Sequence, residues 1–153
     1  MTSENPDKST LTSDSVLHFR NFLRVTTAIT TDLGILPNNI ISSIPDKIAN
    51  YPTVTVTKGE AGEDEPMGMS SNGRVVDAAV TISGWFLNEK DRDKFLDALR
   101  KLIGGYRQTM LDLGWFNWRL SDRYEDDNSR NPSNSMIHIV HFDISNLRYF
   151  TMW

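Results

Sequence analysis

A single α+β domain, with two helices packed on one mixed or antiparallel sheet, is the fold class that this sequence predicts. Two patterns carry the prediction. Residues 89–105, EKDRDKFLDALRKLIGG, place Phe95, Leu96, Leu99, Leu102 and Ile103 at helical spacing, whereas TVTVT at 53–57 and RVVDAAVTISGWF at 74–86 alternate with the period of a strand. The elements follow one another in the order α-β-β-α-β, with room for one further strand, and this is neither a βαβ repeat nor an all-β pattern. At 153 residues the chain is also one domain long, enough to bury a real core.

Residues 1–12 are polar and read as a flexible segment, so the domain is expected to span 13–153. Ser13 suits an N-cap with Asp14 in the first turn, and Val16, Phe19, Phe22 and Leu23 then form one apolar face. This helix is expected to reach about Leu33, where Gly34 suits the position after the last turn and Pro37 stops it. Thr26, Thr27, Thr30 and Thr31 weaken its end. Pro37, Pro45 and Pro52 then divide an irregular connection, with one helical turn expected near Pro45–Ala49.

The strand at 53–57 and the strand from Arg74 should pair antiparallel, being neighbours in the chain. Between them lies an acidic loop, 58–72, far longer than a hairpin needs and expected to be mobile. Asn88 caps the next helix, Asp97 and Lys101 make a favourable pair on its outer face, and Gly104-Gly105 end it. Residues 106–124 are rich in aromatics, with a short strand suggested by Phe116, Trp118 and Leu120. EDDNSRNPSN, 125–134, reads as a loop, and Met136–Ser145 as a strand. Leu147–Trp153 alternates again, either extending that strand or forming a separate tail.

The totals exclude several function classes. A net charge of -4 and a pI near 5.3 oppose a dedicated nucleic-acid binder or an acidic-membrane binder. With no cysteine there is no disulfide, no thiolate nucleophile and no Cys-type zinc site. The polar start lacks the apolar region of a signal peptide, and no apolar run approaches membrane-spanning length, so a soluble chain made in the cytoplasm is expected. Of His18, His138 and His141, the last two stand three apart on a strand and point to opposite faces, so they do not share a metal. His141 and Asp143 share a face and permit a His–carboxylate contact, the basis of a competing reading as a small metal-dependent hydrolase. No phosphate loop, GxSxG or HExxH is present. Neither catalysis nor a cofactor nor a resident metal is expected.

Two sets of residues remain as candidates for contacts. The loop carries Glu60, Glu63, Asp64 and Glu65, without the alternating spacing of a Ca²⁺ loop. The aromatic residues Trp115, Phe116 and Trp118, with Tyr149, Phe150 and Trp153 near the end of the chain, fit a subunit interface better than a base-stacking platform, because Glu125, Asp126 and Asp127 follow closely.

The succession of an amino-terminal helix, Tyr51-Pro52 leading into a V-x-V strand, a long polar loop, a second long strand, the helix NEKDRDKFLDALRKLI and a terminal strand resembles the tail-terminator and tail-to-head joining proteins of tailed viruses, of the lambda minor-tail-protein-U type. The resemblance covers roughly 13–146, while 1–12 and 114–134 have no counterpart in it. It implies a virion protein made in the host cytoplasm that forms a ring, commonly a hexamer, at the head-proximal end of the tail. Such a ring ends growth of the tail tube and presents a surface to the head connector. DNA passes through it without specific binding, and Glu60, Glu63, Asp64 and Glu65 would face the lumen or rim and repel phosphate. A head-completion or other neck protein is the alternative of the same class.

Overall fold

The computed structural model describes residues 15–59, 65–66 and 73–152. In chain order the elements are α1 (Ser15–Val25), a 3₁₀ turn (Pro37–Asn39), β1 (Ile40–Ile41), β2 (Thr53–Lys58), β3 (Glu65–Pro66), β4 (Gly73–Phe86), α2 (Glu89–Gly105), α3 (Arg107–Asp112), β5 (Trp115–Phe116), β6 (Arg119–Asp127) and β7 (Ile137–Met152). All strands join one mixed sheet in the order β1-β2-β4-β7-β5, with β3 also on β4 and β6 also on β7. The α+β class is therefore right, with more short elements than the sequence pattern resolves. Ser13 and Asp14, and the expected flexible segment 1–12, lie outside the described residues.

The two long strands form the centre. β4 and β7 run antiparallel from Phe86↔His138 to Gly73↔Met152, with an irregularity between Ala78 and Val80. β2 pairs antiparallel with β4 only from Thr53↔Trp85 to Lys58↔Val80, and β6 with β7 only from Asp127↔Ile137 to Arg119↔Ser145. Beyond those limits the β4–β7 pair continues, flanked by the short β3 and β5. The terminal segment 147–152 thus extends β7 rather than forming a separate tail.

Alternation assigns each face of the sheet. Val54 and Val56, Val80 and Ile82, and Val140, Phe142 and Ile144 face the helices and join Phe19, Phe22, Leu23, Phe95, Leu96, Leu99 and Ile103 in the main core. Gly84 lies in the same face because the helix layer comes very close there. A Cβ at that position would stand 2.5 Å from Phe86 Cε2 and 2.7 Å from Phe95 Cδ2. The opposite face is covered at one end by the Pro-divided connection, whose Ile48 and Tyr51 pack on Trp85, Ile137 and Ile139. That connection is held by the Ile48 amide donating to the Arg130 carbonyl (2.7 Å) and by Arg130 donating to the Pro45 carbonyl (2.8 Å). It contains no helical turn at 45–49; the 3₁₀ turn and β1 precede it instead.

Local chemistry accounts for the ends of elements. Asn88 accepts from the Asp91 amide (2.8 Å) and starts α2 as its composition predicts, and Lys101 pairs with Asp97 at 3.2 Å. α1 ends at Val25, eight residues before the expected Leu33, because the Thr26 hydroxyl donates to the Phe22 carbonyl (2.7 Å) and competes with the backbone. Helix-like turns resume through Thr30 and Thr31. They close with Ile35 donating to the Thr30 carbonyl across Gly34, whose φ of 67° suits glycine.

Candidate interaction surface

The helix-free face of the sheet is crossed by polar rows. One row is Thr55, Ser83, His141 and Arg123; the next is Thr57, Thr81, Asp143 and Ser121. In the first, Ser83 Oγ lies 2.6 Å from His141 Nδ1, and His141 Nε2 lies 2.7 Å from Glu125 Oε1. The carboxylate only accepts, so it fixes a proton on Nε2, and in the neutral ring Nδ1 accepts from the Ser83 hydroxyl. In the second, the Thr81 hydroxyl donates to Asp143 (2.7 Å) and Arg123 lies 3.5 Å from the same carboxylate.

This corrects the expected His141–Asp143 contact. Residues two apart on one strand stand farther from each other than from their neighbours across the ladder, so each found a partner on β4 or β6 instead. Ser83 and Glu125 were not singled out by the sequence. The only signal for them was register, which a single sequence does not fix. The resulting Ser–His–Glu chain has the connectivity of a nucleophilic triad, but its serine is 1% exposed in the middle of a central strand. β4 is paired on both sides there, so no pair of free amides is left to hold an oxyanion. The arrangement can fasten β6 to the sheet; it offers no approach for an acyl group.

His138 points the other way, as its spacing requires, and lies 3.0 Å from Asp126 and 3.9 Å from Glu89. On that face the side chains of β6 are gripped from α2: Arg100 donates to Asp122 at 2.6 Å, and Arg92 lies over the Tyr124 ring at 4.2 Å. A third histidine, His18, is buried between α1 and the start of α3, with Nε2 3.0 Å from the Tyr106 hydroxyl. Burial without a charged partner lowers its pKa to about 4, and burial raises that of Tyr106 to about 12. Among the described residues no cluster of three or more His, Asp or Glu could hold a metal ion, and no helix is long and apolar enough to cross a membrane.

One sheet edge is well exposed. All of β6 except Asp127 is exposed, and Phe116, Leu120 and Tyr124 present apolar surface along the β5–β6 edge. Of the aromatic set, Trp115 is 1% exposed and fills the protein's own core, because it precedes the turn at Asn117 (φ 62°) that separates β5 from β6. Trp118 is half-buried against the same core. Tyr149 and Phe150 belong to β7, with Tyr149 opposite both Val76 and Trp115. Trp153 lies outside the described residues, as do Glu60, Glu63 and Asp64. Glu65 opens β3, opposite Val75 near the start of β4.

Neither a family model nor a curated protein matches the sequence. A chain from a solved structure described as the virion of a native gene transfer agent particle aligns over 82% of this chain and 88% of its own length. It shares 12% identity with a TM-score of 0.39.

Proposed function

We propose that this protein is a structural, non-enzymatic component of a virus particle. Its finer role is to form a closed ring at the head-proximal end of the tail, where it ends tube growth and offers the head-attachment surface. The reading is supported by the succession of elements that resembles tail-terminator proteins. One structural observation carries it further: the β4–β7 pair runs past the reach of β2 and β6, and Glu65 pairs on that extension. Like charge keeps phosphate from adhering, so Glu60, Glu63, Asp64 and Glu65 suit a part that lines a passage for DNA. A ring needs head-to-tail contacts that close by rotation, and exposed Phe116 with half-buried Trp118 supplies apolar area for one side of such a contact.

The partners of this role are further copies of the chain, the tail-tube protein and the head connector. The test is electron microscopy of particles assembled without the protein, together with the mass of the purified chain by light scattering. Overlong tails and a ring-sized mass support a terminator. Normal tails that stay unattached to heads assign a joining role instead, and unaltered particles overturn the proposal.

A further inference from the structure

Strand β6 reads RLSDRYEDD from Arg119 to Asp127, basic in its first half and acidic in its last three residues. Its inner edge lies on β7 without a register break, and among the described residues no strand covers its outer edge. Among the described residues no strand therefore pairs with the outward backbone N–H and C=O groups of this nine-residue strand. Proteins usually blunt such an edge by keeping it short, bulging it, charging it or covering it, and among the described residues β6 shows only charge. Those charged residues, Asp127 apart, are exposed, but most are already engaged within the chain. Asp122 is held by Arg100, Arg123 by Asp143, Glu125 by His141 and Asp126 by His138. Arg119 has no partner among the described residues.

We propose that the occupant of this edge is β6 of a second copy of the chain, paired antiparallel across a two-fold axis at Asp122. On the helix-free face this register sets Arg119 opposite Glu125 of the partner subunit, and by symmetry the reverse. On the helix side it sets Leu120 opposite Tyr124 of the partner subunit, joining two side chains that are 43% and 53% exposed in the single chain. The one like-charged meeting, Asp122 with its own copy, is neutralised in advance because each carboxylate has Arg100 at 2.6 Å. Side-chain alternation permits only shifts that keep the faces matched. The next such register one way pairs Arg119 with Asp127 but places Arg123 on itself and Leu120 on Asp126; the other way it places Arg119 on Arg123. The sequence of β6 is thus complementary to itself in one alignment and frustrated in those beside it.

The contact goes beyond the ring reading, since ring contacts are heterologous and this one is isologous. Sedimentation equilibrium over a range of concentrations tests it on the full chain and on Arg119→Glu, Glu125→Arg and the double variant, with circular dichroism confirming that each is folded. Wild type should dimerise at high micromolar concentration. Arg119→Glu, whose side chain is free in the single copy, should raise the dissociation constant about tenfold or more, because both symmetric pairs become repulsive. The double variant should return to within about threefold of wild type. A monomeric wild type, or a dimer indifferent to Arg119→Glu, overturns the proposal. Loss of the dimer with Arg119→Glu while a ring still forms supports it and leaves the ring reading standing.

Discussion

Lowering the pH from 7 to 5 should cost the folded protein about 2 kcal/mol at His18 alone. His18 is 0% exposed; its Nε2 meets the Tyr106 hydroxyl at 3.0 Å and its Nδ1 has no hydrogen-bond partner. A neutral imidazole tolerates this, with one nitrogen donating or accepting at Tyr106. A protonated ring would leave a charged N–H at Nδ1 buried and unpaired. The folded pKa is accordingly about 4, against the 6.5 of an ordinary solvated histidine. The unfolded chain therefore binds the proton first, so the stability is present above 6.5 and is lost as pH falls towards 4. With those two values the loss is about 0.2 kcal/mol at pH 7 and about 2 kcal/mol at pH 5. Urea unfolding of wild type and His18→Gln at pH 7, 6 and 5 isolates the effect, because glutamine keeps a polar partner for Tyr106 and does not titrate. The variant should be the less stable protein at pH 7, and the gap should shrink by about 2 kcal/mol by pH 5. A gap that stays constant across that range would refute the reasoning.

Two glycines should respond in opposite directions. Gly84→Ala drives a methyl into Phe86 and Phe95 and should lose about 1–3 kcal/mol, whereas Gly104→Ala in α2, with nothing within 4 Å, should gain up to about 1 kcal/mol; thermal or urea melts compare them directly. Asn88→Ala removes the α2 cap and should cost about 1 kcal/mol in the same melts. Ser83 should give no covalent adduct with a fluorophosphonate probe by mass spectrometry, while Ser83→Ala, which strands His141 Nδ1, should destabilise by about 1–3 kcal/mol; labelling of the native protein would revive a hydrolytic reading. Replacing Glu60, Glu63, Asp64 and Glu65 by their amides should leave particle assembly intact and slow genome ejection, and ejection at the wild-type rate would remove the proposed role of the loop.

Where a residue's partner lies in its own helical turn or its neighbouring strand, the sequence was sufficient. The Asn88 cap, the apolar face of α2, the antiparallel β2–β4 pair and the opposite facing of His138 and His141 all follow from periods and local chemistry. The largest departure is β6. Neither of its faces is fully buried, so it carries no apolar alternation, and its acidic second half reads as a loop. Trp115 shows the same limit from the other side: its type suits an interface, yet the turn at Asn117 sets it inside the core.

The succession α1, β2, β4, α2, β7, the α+β class and the absence of cysteine chemistry were determined by the sequence alone, because they depend on contacts within a few residues. Only the tertiary structure decided that His141 belongs to Ser83 and Glu125 rather than Asp143, and that β6 carries no described strand on its outer edge. The physical reason is register. Cross-strand neighbours are chosen by how distant segments slide together, and a slide of two residues preserves every local pattern while exchanging every partner.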